Sequence, residues 1–234
     1  MADILLVHGS CHGAWCWRDL IPALAARGHF VRAIDLPGHR DGRAPEEVTL
    51  EETCRAVAAH ITPETIVVGH SWAGYPITGA VEFAHPRGLI YLCAYVPTSG
   101  MSLIDMRIAG PRQTIGDAAV KATDGHSYTI RPEAAPALFY HDCPEETVAF
   151  ALENLCAQPI LPQATPLTRP TGWEALPKAY IRCANDQTIP PEYQQSMTAH
   201  WPAERVHVME TSHSPFFAAP GPLADLIDEI TTMM

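Results

Sequence analysis

The stretch TIVVGHSWAG, residues 65–74, decides the fold of this chain. Its first four residues are apolar or β-branched and predict a buried strand, and the small residues after Ser71 predict a helix. A serine on so sharp a strand–helix turn needs small residues two positions to either side. Gly69 and Ala73 provide them, although the usual pattern has glycine at both positions. This context predicts a strained, nucleophilic Ser71 whose hydroxyl points into a cleft, and the alternative is a serine that only caps a helix.

Outward from this turn, short apolar runs alternate with helix-like stretches. The predicted strands are Ile4–Val7, Phe30–Ile34, Thr65–Val68, Leu89–Val96, Lys178–Cys183 and Arg205–Met209. The predicted helices are Trp17–Ala26, Leu50–His60, Trp72–Ala84, Pro191–His200 and Pro222–Thr231. Several strands are almost continuously apolar, which is typical of strands covered on both faces. The order predicts an α/β fold with a doubly wound parallel sheet of about six strands and helices on both faces.

Residues 97–177 interrupt this rhythm. They contain no clear buried strand, and ten of the 22 prolines fall among them. Glu145–Cys156 alone has the pattern of an amphipathic helix. Because structureless connections of this length are uncommon and usually functional, we expect residues 97–177 to form a cap. It would be inserted into a core domain made of residues 1–96 and 178–234. An irregular connection is the alternative.

A serine hydroxyl needs a base to remove its proton, and the base needs an acid that orients it. His213 follows the last predicted strand, and Asp186 follows the strand before it. The order Ser71, Asp186, His213 is that of one large class of serine hydrolases and differs from both main protease classes. Asp105 is the alternative acid.

An acyl-transfer site also needs two backbone N–H groups that face the developing oxyanion. One belongs to Trp72, directly after the nucleophile. The loop after the first strand supplies the other, and we assign it to Ser10. The alternative use of this loop is a metal site made of His8, Cys11 and His12, but no convincing fourth ligand is present, so we expect no metal.

Charge and composition exclude several classes of function. The net charge is −11, and Lys121 and Lys178 are the only lysines, so no basic stripe exists for nucleic acid or anionic membranes. The longest apolar run, Leu89–Val96, is far shorter than the ~20 residues that span a bilayer. The N-terminus lacks a signal-peptide pattern, and the seven cysteines have irregular spacing. We therefore expect reduced cysteines and a cytoplasmic location.

These motifs resemble those of the α/β-hydrolase superfamily, and within it the plant methylesterase and hydroxynitrile lyase family with its bacterial esterase relatives. The resemblance rests on HGSCHGAWCWRDLIPALAARGH (8–29), GHSWAGYP (69–76), LFYHDCPEETVAFAL (138–152) and YIRCANDQTIPP (180–191). It implies a catalytic triad of Ser71, Asp186 and His213 with oxyanion donors Ser10 and Trp72. It also implies an α/β-hydrolase fold and a homodimer.

Three positions separate the two chemistries of that family. Lyases carry Thr, Glu and Lys where this chain has Gly9, His70 and Ser214, and the lysine holds the departing cyanide. The resemblance therefore implies an esterase, with these three residues near the substrate, and makes a hydroxynitrile lyase unlikely.

We accordingly expect a serine carboxylesterase without a cofactor that acts on small hydrophobic esters, including aromatic or methyl esters. Four cap residues could line an apolar pocket or only pack on the core: Phe139, Tyr140, Leu152 and Trp173. Two alternatives stay open. One is a hydrolase of a thioester, lactone or carbon–carbon bond with the same triad, and the other is a ligand sensor with slow turnover.

Overall fold

A computed structural model describes residues 1–234. The strands are β1 Asp3–Val7, β2 Phe30–Ile34, β3 Thr65–His70, β4 Gly88–Leu92, β5 Ala119–Lys121, β6 Ser127–Ile130, β7 Gln158–Pro159, β8 Lys178–Cys183 and β9 Val206–Met209. The helices are α1 Leu20–Ala25, α2 Leu50–Ala58, α3 Gly74–Gly79, α4 Leu103–Ala109, α5 Ala135–Phe139, α6 Glu145–Asn154, α7 Leu161–Ala164, α8 Pro191–Met197, α9 Pro215–Ala218 and α10 Pro220–Thr232.

Six strands form one parallel sheet in the order β2-β1-β3-β4-β8-β9, so the predicted doubly wound sheet is confirmed. Strand β1 is second from the edge and pairs with β2 on one side and with β3 on the other. The strand order reverses there, and the loops after β1 and β3 leave the same edge of the sheet side by side. Such switch points are where open α/β sheets bind their ligands.

The hydrophobic core lies in two layers, one on each face of this sheet. Along β1, Ile4 and Leu6 belong to one buried cluster, and Leu5 and Val7 belong to the other. This alternation follows from the two-residue period of a strand. Burial of each such side chain contributes about 1.5–3 kcal/mol, so the apolar strands hold both helical layers against the sheet.

Several predicted elements are shorter in the structure, and two of them are shortened where the chain around Ser71 departs from regular geometry. The predicted strand 89–96 ends at Leu92, since Cys93 has a positive φ of 35° and turns the chain away from the sheet. The predicted helix 72–84 becomes α3, flanked by 3-10 turns over residues 71–73 and 80–82. Ser71 itself has a φ of 56°, which lies outside the α-helical region, so regular helix begins only at Gly74.

Residues 97–177 contain α4 to α7 and a small antiparallel sheet in the order β5-β6-β7. The predicted helix at 145–156 is confirmed as α6. The three strands escaped prediction because they are only three, four and two residues long. The division into core and cap stays a prediction. No helix combines the length and the apolar character needed to cross a bilayer.

Candidate active site

The turn that carries Ser71 has the strained geometry that the sequence predicts. The positive φ of Ser71 (56°) costs on the order of 1–3 kcal/mol and needs support from its surroundings. The backbone N–H of Tyr95 donates to the Ser71 carbonyl at 3.1 Å and supplies part of that support. A Cβ at Gly69 would lie 2.7 Å from Ile77 Cδ1 and 3.2 Å from the Ala73 carbonyl oxygen, so a larger residue there would force Ile77 or the turn to shift. The side chain of Ala73 is accommodated in the core.

Asp186 and His213 form a buried pair next to this turn. His213 Nδ1 donates to Asp186 Oδ2 at 2.7 Å, and both side chains are at most 1% exposed. The other carboxylate oxygen accepts from the backbone N–H groups of Thr188 (2.7 Å) and Ile189 (2.9 Å). Gln194 Nε2 donates to Oδ2 at 2.9 Å. Four N–H donors converge on this buried carboxylate, so it serves as an acceptor and the His213 proton that faces it lies on Nδ1.

A narrow cavity brings Ser71 and His213 together, without a direct hydrogen bond between them. Such bonds often tighten only when substrate is bound. The cavity has a volume of about 20 Å³, room for about one water. Its lining residues come from both the sheet edge and residues 97–177: Ser10, His12, His70, Ser71, Trp72, Tyr95, Leu103, Arg107, Ile115, Tyr128, Ile130, Phe139, Thr188 and His213.

Both predicted oxyanion donors, Ser10 and Trp72, line this cavity. The backbone N–H of Ser10 donates to no group of the protein, so it is free to serve a ligand. His12 Nδ1 donates to the Ser10 carbonyl at 2.7 Å, and the Tyr140 hydroxyl donates to His12 Nε2 at 2.6 Å. Burial lowers the pKa of His12 to about 4. His12 is therefore neutral at pH 7 and holds the loop by hydrogen bonds alone.

Two buried glutamines from beyond residue 97 also hold this loop, and sequence reasoning missed both. Gln163 Nε2 donates to Ser10 Oγ at 2.7 Å, while its Oε1 accepts from the Tyr128 hydroxyl at 3.1 Å. Gln158 Oε1 accepts from the backbone N–H of Cys11, whose φ is 61°. Both glutamines are fully buried. No sequence pattern marks them, because their partners lie about 150 residues away along the chain.

His70 and Gly9 pack directly behind the nucleophile. His70 Nε2 donates to the carbonyl oxygen of His213 at 2.8 Å, and its Nδ1 has no partner. Burial and the adjacent His213 lower the pKa of His70, so it is neutral. A Cβ at Gly9 would lie 2.6 Å from His70 Nδ1 and 2.9 Å from Ser71 Cβ. Gly9 therefore makes room for these two side chains, and it does not line the cavity.

Among the other residues expected near substrate, Phe139 lines the cavity and Trp173 does not. Of the two roles left open for Trp173, the contacts are those of packing: its indole N–H donates to the Tyr91 hydroxyl at 2.7 Å and its ring lies against Lys178. It lines a separate cavity of about 790 Å³. Three further expected residues do not line the active-site cavity: Tyr140 donates to His12, Ser214 is fully buried, and Leu152 packs on the hydrophobic core.

The alternative acid and the alternative metal site do not fit the structure. Asp105 lies on the surface, where it closes a capping box with Ser102 at the start of α4. Both ring nitrogens of His8 are hydrogen-bonded, as are both of His12, so neither is available to a metal.

One buried group has the spacing of metal ligands: His70, Cys93 and His213. Its donors are already engaged, since His70 Nε2 and Cys93 Sγ both point to the His213 carbonyl oxygen. Burial also raises the pKa of the Cys93 thiol, which keeps it protonated and a poor ligand.

Comparisons with known proteins agree with this fold over nearly the whole chain. The sequence model of the family described as the alpha/beta hydrolase family matches residues 4–226 of this chain. The chain is 30% identical to a pyrethroid hydrolase of Sphingobium wenxiniae, over 97% of this chain and 86% of that protein. It is 26% identical to methylesterase 17 of Arabidopsis thaliana, over 95% and 89%. The crystal structure of a pyrethroid hydrolase from Sphingobium faniae superposes with a TM-score of 0.87 at 28% identity, over 99% of this chain and 97% of that one.

Proposed function

Because the chain belongs to the alpha/beta hydrolase family, we propose that this carboxylic ester hydrolase works through an acyl intermediate on Ser71. The observation that carries the proposal is the buried Asp186–His213 pair, which shares one cavity with a serine in strained backbone geometry. No metal or organic cofactor takes part in the proposed reaction.

In the first half-reaction, Ser71 Oγ attacks the ester carbonyl carbon while His213 Nε2 takes the hydroxyl proton. The negative charge moves to the carbonyl oxygen, which the N–H groups of Ser10 and Trp72 stabilise. His213 then gives its proton to the leaving alkoxide. The products are a free alcohol and acyl-Ser71.

In the second half-reaction, His213 Nε2 removes a proton from water, which attacks the acyl carbonyl. The tetrahedral intermediate collapses, and His213 returns the proton to Ser71 Oγ as the acid leaves. Asp186 stabilises the imidazolium in both halves without taking a proton itself. Its four hydrogen-bond donors hold it in that role.

We propose small esters of hydrophobic acids, methyl esters among them, as substrates. Apolar side chains form much of the cavity wall: Leu103, Ile115, Ile130 and Phe139. Similar proteins are named methylesterases, a pyrethroid hydrolase and a carbendazim hydrolyzing esterase. These names support ester substrates of varied size.

The test is steady-state hydrolysis of a panel of methyl and p-nitrophenyl esters by wild type and Ser71→Ala. Wild type should turn over many equivalents, and Ser71→Ala should lose several orders of magnitude in kcat. Ser196→Ala, at an exposed serine, is the matched control and should keep wild-type activity. Wild-type rates in Ser71→Ala would refute the mechanism, and turnover that stops near one equivalent would favour the sensor. Thioester, lactone and carbon–carbon substrates in the same panel test the remaining alternative.

We also propose a cytoplasmic location. All seven cysteines are free thiols, as a reducing compartment favours. Fractionation of the source cells with an antibody to this chain tests the proposal, and recovery outside the cytoplasm would overturn it.

A further inference from the structure

Arg107 is the only acidic or basic side chain other than histidine among the fourteen residues that line the active-site cavity. It lies on α4 and is half-buried. The two lining histidines whose pKa burial lowers, His12 and His70, are neutral at pH 7. No aspartate or glutamate lines the cavity, and Asp186, which lies behind it, is paired with His213.

The guanidinium of Arg107 has no partner in the protein. No carboxylate lies within ion-pair distance of it, it donates no hydrogen bond, and it stacks on no aromatic ring. Asp105, two positions earlier on α4, caps that helix, and Asp186 is paired with His213. A half-buried charge without a partner is costly, and a ligand of opposite charge would offset that cost.

The hydroxyl of Tyr95 is a second unused donor in the same cavity. Tyr95 is 5% exposed and lines the cavity, and its hydroxyl makes no hydrogen bond to the protein. Burial raises the pKa of Tyr95, and the positive charge of Arg107 acts in the opposite direction. The two side chains are therefore close enough to interact electrostatically. The high pKa keeps the phenol protonated and therefore able to donate.

We propose that Arg107, with the Tyr95 hydroxyl, binds a carboxylate of the substrate, so that among the small, largely apolar esters proposed above, those that carry a second, free carboxylate are preferred. This inference rests on the proposed esterase function and names the substrate class of the same site. A guanidinium suits the task because its planar donors match both oxygens of a carboxylate. Ser71 and Arg107 line one small cavity, which favours a short half-ester of a dicarboxylic acid.

The narrowness of the cavity is consistent with this role. A volume of about 20 Å³ cannot hold an ester, so lining side chains must move when substrate binds. Displacement of Arg107 breaks no hydrogen bond or ion pair, and the substrate carboxylate then supplies the partner that the protein does not.

The experiment compares kcat/KM for monomethyl glutarate and for neutral dimethyl glutarate. A second pair, 3-acetoxypropanoate and propyl acetate, places the carboxylate on the alcohol side instead. Wild type should prefer the charged member of at least one pair.

Arg107→Gln should reduce that preference about 10- to 100-fold, the range expected for a charged hydrogen-bonded contact. Arg107→Lys should keep part of the preference. Arg112→Gln, which removes a surface arginine already paired with Glu192, should leave both activity and preference unchanged.

Failure of this inference and failure of the proposed function give different results. If wild type hydrolyses neutral esters and Arg107→Gln leaves the charged-to-neutral ratio unchanged, the carboxylate site is overturned while the esterase stands. If wild type hydrolyses no ester, the esterase proposal fails. Calorimetry then measures whether glutarate binds to Ser71→Ala, which tests the carboxylate site without any hydrolysis. Binding that Arg107→Gln abolishes supports the site, and absence of binding overturns it.

Discussion

At the residue scale, the candidate site depends on single residues whose conformation is fixed by several contacts. Asp186 accepts four hydrogen bonds with no exposure to solvent, and Ser71 sits in a backbone conformation that few residues adopt. The sequence predicted both residues, because strand–turn–helix context and chain order are local signals. It left the role of Trp173 open, because whether an aromatic side chain faces a cavity or packs against a neighbouring tyrosine depends on contacts distant in sequence.

We predict that Asp186→Asn lowers kcat by about four orders of magnitude while the protein stays folded. The amide keeps the shape of the carboxylate but cannot stabilise an imidazolium, and it favours the wrong tautomer of His213. Ester hydrolysis and thermal unfolding, measured on the same preparations, check this.

The matched control is Asp105→Asn on the surface cap of α4, which should keep full activity. Comparable activity losses in the two variants would contradict the assignment of Asp186.

At the element scale, the oxyanion loop after β1 is held by elements far along the chain. Gln163 lies on α7 and donates to Ser10 Oγ, and Gln158 lies on β7 and accepts from Cys11 N–H. Residues 97–177 therefore contribute to the cavity wall and also hold the loop that carries Ser10, one of the two proposed oxyanion donors. Only α6 of this region was predicted, because the remaining elements are too short to show a period.

We predict that Gln163→Met lowers kcat about tenfold with little change in KM, because the Ser10 N–H loses its alignment with the transition-state oxyanion. Steady-state kinetics on one ester check this. Gln195 is an exposed glutamine on α8, so Gln195→Met should leave kcat and KM unchanged.

A double-mutant cycle separates positioning from general loss of stability. Ser10→Ala removes the hydroxyl that Gln163 contacts, so the double variant should lose no more kcat than the worse single variant. Fully additive losses would show that Gln163 does not act through Ser10.

At the scale of the whole molecule, buried neutral histidines link stability to pH. Burial lowers the pKa of four of them, His8, His12, His39 and His70. Unfolding returns each to an ordinary pKa near ~6.5. Between that value and the lower folded value, the unfolded chain binds more protons than the native protein. Their contribution to the free energy of unfolding is therefore complete above about pH 6.5, and it is lost as the pH falls.

We predict that the urea midpoint falls progressively from pH 7 towards pH 4, where His12 itself begins to titrate in the native state. Each such histidine contributes up to about 1.4 kcal/mol per pH unit. Urea titrations at pH 7.5, 6 and 5 check this. His60→Gln, at an exposed position, should show the wild-type dependence. A midpoint that is constant from pH 7.5 to pH 5 would contradict the prediction.

Homodimer formation and the boundary between core and cap also belong to this scale, and both stay predictions. Neither can be predicted from a local sequence pattern, because each depends on which surfaces of the folded protein contact one another.

The sequence by itself determined the parallel sheet, the reactive turn and the chain order of serine, acid and base. These follow from the two-residue period of strands, the steric demands of one turn and the rule that parallel strands end at one edge. Only the tertiary structure decided what holds and surrounds them. Gln163 reaches Ser10 across 153 positions of chain, and Arg107 faces the cavity without a partner. Such contacts arise from packing between distant segments, which leaves no periodic trace in the sequence.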